Sequence, residues 1–341
     1  MHPAIFAEHL ANGQIRCILC AHECRLKPGQ TGICQVRHNV AGQLVTSVYG
    51  RPVMQGVEPV EKKYLFHAFP GTHTLSLGTP GCNLRCHYCV NWRVSQRGSA
   101  AEQFVSPADV VASAQQQGAQ GIAFTYTEPT IFIEYAHDIA QHARAAGLYT
   151  VAKSNGYMTA AALTHMAAWL DAVNFDLKGW QNAPHRRIIG GDVQPVLDNL
   201  RLARNLGLWI EVSTLVVPGL SDTLDELAAI AHFIANALGT ETPWHLLRFF
   251  PTFEMADQPA TAQHLLQAAV EVGQQAGLRY IYSKDLPHQR MTTRCPQCQT
   301  IVMQRTVYEL TQTRLDAGRC AVCQHPIAGI GLGASDHAAN T

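Results

Sequence analysis

The chain has 341 residues, enough for one α/β barrel with small appendages. Lysine plus arginine balance aspartate plus glutamate at 25 each, which excludes the whole-chain field that steers a protein to nucleic acid or an anionic membrane. From Met1 to Leu19 the polar residues His2, Glu8, His9 and Arg16 interrupt the apolar ones, and nowhere does an apolar run reach bilayer length, so a soluble cytoplasmic protein is expected.

In chain order, the first feature is a set of cysteines, one of three groups of four, three and four that account for all 11. An odd total without a secretory signal speaks against a disulfide framework, and C-x2-C spacings in a reducing compartment point to metal. Cys17, Cys20, Cys24 and Cys34 lie in a stretch rich in Cys, Gly and Pro, as a small metal-stapled knot would. Four thiolates suit zinc or an auxiliary 4Fe-4S cluster. Zinc is the favoured reading, because nothing nearby in the sequence suggests an electron route. His22 and His38 are alternative ligands by type but read as ordinary surface residues. Residues 1–70 are assigned to this segment.

Across residues 71–285 short β-branched runs alternate with amphipathic stretches, the pattern of a parallel α/β fold. Strands are expected at His73 to Gly78, Gly121 to Thr125, Leu148 to Lys153, Ala172 to Leu177, Trp209 to Val216, Trp244 to Phe249 and Leu278 to Tyr282. Helices are expected at Pro107 to Gln117, Ile131 to Ala146, Ala160 to Trp169, Pro195 to Asn205, Leu224 to Leu238 and Ala262 to Ala276. The first is signalled by Ser106 as N-cap, Pro107 at the first helical position, Asp109 as capping-box acid and Gly118 beyond its end. Six βα units and a seventh strand predict a partial (β/α)6 TIM-like barrel, open on one side.

After the first of these strands the chain reads Gly81-Cys82-Asn83-Leu84-Arg85-Cys86-His87-Tyr88-Cys89, a C-x3-C-x2-C run with an aromatic before the last cysteine. Three thiolates can hold three irons of a cubane that ordinarily takes four cysteines, leaving one iron open to a ligand. A three-thiolate zinc site is the alternative. In the last segment, residues 286–341, Cys295, Cys298, Cys320 and Cys323 form two C-x2-C pairs with a 21-residue spacer, the spacing of a structural zinc ribbon. Arg294, Arg305, Arg314 and Arg319 have little aromatic interleaving, which argues against nucleic acid and leaves partner docking as the modest expectation. Residues 329–341 read as a disordered tail.

The Cys82 loop after the first strand of a partial barrel resembles the radical S-adenosylmethionine (SAM) superfamily. The resemblance implies a 4Fe-4S cluster whose open iron chelates SAM, reductive cleavage to a 5'-deoxyadenosyl radical, and a flavodoxin-like or ferredoxin-like electron donor. Cys17-Ile18-Leu19-Cys20, Val57-Glu58-Pro59-Val60-Glu61-Lys62-Lys63, Cys89-Val90-Asn91-Trp92, Phe124-Thr125-Tyr126-Thr127-Glu128-Pro129-Thr130 and Pro243-Trp244-His245-Leu246-Leu247-Arg248-Phe249 together resemble the radical SAM component of the AmmeMemoRadiSam system, related to pyruvate formate-lyase activating enzyme. Memo-like and AMMECR-type partners are implied by that name. Ala21, where a proline is usual, and Ser283-Lys284-Asp285, in place of a Gly-Asn pair, depart from the pattern.

The same resemblance assigns roles at the strand ends. Glu128 is expected to accept the SAM amino group, Asn155 to lie in a short Asn-Gly turn, Asp176 and Lys178 to sit near the SAM carboxylate, and Thr214 to line the ribose and adenine. His245 and Arg248 are candidates to face the substrate, with no catalytic residue assigned beyond them. The leading function is radical chemistry on a small organic substrate. The alternatives are activation of a glycyl-radical enzyme, or other protein modification, and a non-catalytic metal-binding scaffold.

Overall fold

The computed structural model describes residues 1–286 and 291–333. The β-branched runs form the strands of one central sheet: β1 Met54–Pro59, β2 His73–Gly78, β3 Gly121–Phe124, β4 Tyr149–Ser154, β5 Ala172–Asp176, β6 Trp209–Val216, β7 Trp244–Arg248 and β8 Ile281–Tyr282. They lie in sequence order across the sheet. From β2 to β8 every pairing is parallel, while β1 runs antiparallel to β2 with Met54 opposite Gly78. The sequence reading has seven strands. The eighth, β1, lies ahead of residue 71 and extends the barrel sheet at one edge.

Parallel neighbours need crossovers, and six are helical. Pro107–Gln116 links β2 to β3, Ile133–Ala145 links β3 to β4, and Ala160–Ala167 links β4 to β5. Asn182–Ile189 and Gln194–Asn205 link β5 to β6, Leu224–Phe233 links β6 to β7, and Gln263–Gln275 links β7 to β8. The result is the expected partial (β/α)6 barrel. Its first helix begins as the sequence indicates: Ser106 Oγ accepts from Asp109 N at 3.2 Å while Ser106 N donates to Asp109 Oδ2, a box of the kind that contributes about 1 kcal/mol. Asn182–Ile189 is not among the expected helices. Its polar face and Pro184 hide the pattern, although a proline in the first turn costs little.

The first fifty or so residues add two three-stranded antiparallel sheets, one joining His2–Pro3, Gln43–Thr46 and Arg37–Val40, the other Ala7–His9, Ile15–Cys17 and Arg25–Leu26. At the other end, Thr293–Arg294, Ile301–Arg305 and Leu310–Thr313 form a ribbon fastened to the barrel base. Arg305 is 3% exposed, stacks over Phe66, donates Nη2 to Phe66 O at 2.6 Å and faces buried Glu61 at 3.6 Å. The expected disordered tail is packed as far as residue 333, for Phe69 N donates to Ile330 O and Ile330 N to His67 O. Its remainder, 334–341, lies outside the described residues.

Candidate metal centre

The loop from Gly81 to Cys89 leaves the C-terminal end of β2, the end where parallel barrels collect their chemistry. Gly81 has φ +93°, and a Cβ there would stand 2.6 Å from Cys34 O, so both conformation and contact require glycine. Backbone bonds fix the loop further on: Arg85 N donates to Ile189 O, His87 N to Ile188 O and Glu254 N to His87 O, all within 2.9–3.0 Å. The missed helix Asn182–Ile189 thus has a purpose, since its C-terminal carbonyls hold the cysteine loop.

Donors aim at the sulfurs. Leu84 N lies 3.4 Å from Cys82 Sγ, Asn155 Nδ2 3.8 Å from the same sulfur, and Ser95 Oγ 3.3 Å from Cys89 Sγ. Burial pushes the Cys82 thiol well above its ordinary range, and the Glu128 carboxylate pushes it further. Burial raises Cys86 to about 11 while Lys178 pulls it down. Bound metal would deprotonate them. Beside them Tyr88 Oη is buried with no hydrogen-bond partner, an orphaned polar atom aimed into the site. Among the described residues, only the C-terminal cysteines bring four ligand atoms within 4.8 Å of one another. A single zinc ion, with zinc-sulfur bonds of about 2.3 Å, needs such closeness, whereas a cubane puts each thiolate on a separate iron. The three sulfurs here fit the cluster better than the ion.

At the end of β5, Asp176 receives Lys153 Nζ on Oδ1 at 2.7 Å and Lys178 Nζ on Oδ2 at 2.9 Å. Burial alone would raise the Asp176 carboxyl, but the two ammonium groups outweigh it and hold the carboxyl down at about 2. Lys178 is driven well above its usual value, since Asp176, Tyr88 and Cys86 overcome its desolvation. Two lysines to one aspartate leave a surplus positive charge beside the cysteines, suited to a carboxylate. Lys153 was not named from sequence, and its signal is a charged residue in the buried run Val151, Ala152. It also donates to Asn174 Oδ1 at 2.8 Å, and Ser213 Oγ donates to the same oxygen at 2.8 Å.

Several expected site residues have other parts. Glu128 is 1% exposed and accepts from Thr130 N, Thr130 Oγ1, Ser154 Oγ and Asn155 N. Three of these bonds fall on Oε1 and one, from Asn155 N, on Oε2, so the buried carboxylate ties β3 to β4. Asn155 is where expected and does more: its Nδ2 also donates to Asn83 Oδ1 at 2.8 Å, clamping the cysteine loop to β4. Thr214 points the wrong way. Alternation along β6 turns Ser213 inward and Thr214 out toward the helices, where its Oγ1 accepts from Trp244 Nε1 at 2.9 Å.

His245 faces inward but is sealed off. It is 1% exposed, bonded to Glu211 Oε2 at 2.7 Å, edge-on to Phe66 and stacked on Tyr282, while Tyr64 stands between it and Lys153. It is a core group and cannot touch a substrate. Arg248 ends β7 at the mouth, half-buried, with Nε donating to Thr261 O at 2.7 Å. The departing segment Ser283-Lys284-Asp285 meets it there, for Asp285 Oδ2 accepts from Arg248 N at 3.2 Å.

The C-terminal cysteines make a second, closed set. Sulfurs of Cys295 and Cys323 lie 3.5 Å apart and those of Cys298 and Cys320 3.7 Å apart. Both knuckles share one turn: Gln299 and Gln324 have φ of 60° and 58° and donate back to Cys295 O and Cys320 O. Among the described residues no helix is long and apolar enough to cross a membrane.

Residues 76–234 match the family model described as the radical SAM superfamily. An uncharacterized protein of Methanocaldococcus jannaschii is 36% identical over 333 residues, covering 96% of this chain and 99% of that protein. The pyruvate formate-lyase-activating enzyme of Clostridium pasteurianum is 24% identical over 203 residues, 57% of this chain and 84% of its own. Among solved structures, a domain of pyruvate-formate lyase-activating enzyme from Bacteroides vulgatus overlaps 48% of this chain and 99% of that one, at 14% identity and a TM-score of 0.44.

Proposed function

The chain belongs to the radical SAM superfamily, and from that premise we propose that Cys82, Cys86 and Cys89 hold a 4Fe-4S cluster at which SAM is reductively cleaved for reaction with a small organic substrate. When bound, the cluster supplies the electron that breaks the SAM sulfur to C5' bond and yields a 5'-deoxyadenosyl radical. The observation that carries the reading is the meeting, at the C-terminal end of the barrel sheet, of three thiols, two of them donor-supported, with the Lys153, Asp176 and Lys178 group.

The protein's own residues bind and orient. Lys153 and Lys178, held apart by Asp176, present positive charge where the SAM carboxylate would lie. Asn155 and Asn83 keep the loop in place, and Ser213 and Asn174 hold the Lys153 ammonium from below. Lys63, paired with Glu58 and under the Tyr126 ring, continues the polar lining toward β1, which supports a compact polar substrate. In the C-terminal ribbon, tetrahedral zinc is the ion that sulfur spacings of 3.5 and 3.7 Å suit.

A second reading, activation of a glycyl-radical enzyme, is favoured by similarity to relatives named as activating enzymes. Membership of the AmmeMemoRadiSam subgroup, with Memo-like and AMMECR-type partners, belongs to the first reading and is supported by motifs spread along the chain; co-purification of either partner would test it. The substrate test is anaerobic: reconstituted protein, reductant and SAM are mixed with small-molecule or macromolecular fractions of a cell extract, and 5'-deoxyadenosine is quantified. Stimulation by the small-molecule fraction is expected. Stimulation only by the macromolecular fraction would select the activase reading.

A further inference from the structure

The N-terminal cysteines differ from the C-terminal ones in spacing, surroundings and place. Cys17, Cys20 and Cys34 are buried and Cys24 half-buried, and Cys17 N donates to Cys24 O at 2.9 Å. Yet no three of them close to within 4.8 Å as the ribbon cysteines do. Nor do the nearby histidines complete a zinc set, for His22 Nε2 is engaged by Asn83 O at 2.7 Å and His38 Nδ1 by Thr31 Oγ1 at 2.8 Å. The sulfurs of Cys34 and Cys24 both border the space over Gly32, lying 3.7 and 3.8 Å from where a Cβ would be. Glycine there leaves room beside two of the sulfurs, and the set as a whole is more open than the ribbon's.

A buried cation overlooks it. Arg37 is 1% exposed, and its Nη2 serves both Ile5 O and Glu134 Oε1. Its Nε and Nη1 are buried with no partner, a costly arrangement unless something accepts from them. Arg37 O accepts from Gly32 N at 2.9 Å, beside the Cys24 and Cys34 sulfurs, so an anionic group among those sulfurs would have in Arg37 a cation that Glu134 alone does not saturate with hydrogen bonds. The set also abuts the other site: Cys34 O packs on Gly81, Arg85 Nη2 donates to Ile33 O, and Asn83 O meets His22.

We propose that Cys17, Cys20, Cys24 and Cys34 hold a second 4Fe-4S cluster, with Arg37 as its charge partner, in place of the zinc that the sequence favours. The position gives a one-electron centre direct protein contact with the Cys82 loop, an arrangement for which structural zinc has no use. The inference rests on the reading that Cys82, Cys86 and Cys89 hold the SAM-binding cluster, and the test separates the two.

The full chain and its Cys82→Ala/Cys86→Ala/Cys89→Ala variant are reconstituted anaerobically, and iron, sulfide and zinc are counted. The natural chain should hold about eight irons and the triple variant about four, the variant showing the paramagnetic signal of a reduced cubane. A triple variant with no cluster iron and zinc in both terminal sites, beside a natural chain with about four irons, would overturn the second cluster and leave the first standing. About four irons in both proteins would instead remove the cluster from the Cys82 loop. Adding Arg37→Lys to the triple variant should lower the reduction potential of the remaining cluster, because N–H donors to cluster sulfur raise it. An unchanged potential with an unchanged circular dichroism spectrum would overturn the part given to Arg37.

Discussion

Asp176 is stabilised by two ammonium groups, Lys153 on β4 and Lys178 just past the end of β5, and that makes it testable on its own. Its folded carboxyl, at about 2, lies below the unfolded value of about 3.9, so its stabilising contribution is present above pH 4 or so and fades as pH falls toward about 2. Lys153→Met removes one partner, so the acid-unfolding midpoint should move to higher pH, measured by circular dichroism. The same variant should form 5'-deoxyadenosine at least about tenfold more slowly, the scale of one lost charged hydrogen bond. Ser213 and Thr214 provide a paired contrast. Ser213→Ala loosens the inner network and should slow turnover, whereas Thr214→Val should leave turnover alone and cost about 1 kcal/mol of stability through Trp244. Equal effects on turnover would contradict the inward and outward assignment. A sequence shows that both residues sit on a strand; which face each takes depends on register, and a one-residue slip exchanges them.

The barrel strands were legible because β-branched residues recur between helical stretches. Those at β2 and β6 begin and end where expected, and the others differ by a residue or so, apart from the short β8. β1 was not legible: Met-Gln-Gly-Val-Glu-Pro has no alternation, and its pairing is made by an antiparallel edge that only the neighbouring strand supplies. The cysteine groups announce themselves by spacing, but spacing does not disclose Arg37 or Glu134, which meet across 97 positions of sequence. At this scale two substitutions are informative. Gly81→Ala sets a Cβ against Cys34 O at a φ of +93°, so the loop should shift and bind less iron, read as the iron to protein ratio. Arg305→Met strands buried Glu61, whose carboxyl burial already raises, and should cost about 3–5 kcal/mol in denaturant unfolding. A loss under about 1 kcal/mol would mean that the ribbon is not anchored to the barrel by this pair.

For the whole molecule, the three cysteine sets are unequal in design. A closed set with short sulfur contacts sits on the ribbon, and a three-thiol loop opens toward lysines at the barrel mouth. A third set lies against that loop beside Arg37, whose Nε and Nη1 have no partner while its Nη2 pairs with Glu134. On the proposed reading the three-thiol loop leaves a coordination position for a cosubstrate, so radical generation should depend on its three cysteines and survive loss of any metal held by the ribbon. The direct measurement is 5'-deoxyadenosine released from SAM by the reduced, reconstituted protein, with Cys82→Ala, Cys86→Ala and Cys89→Ala beside a Cys298→Ser control. Release by the natural chain and the control, with none above background from the three loop variants, is expected. Undiminished release from any loop variant, or none from the natural chain with iron bound, would contradict the assignment of the chemistry to this loop.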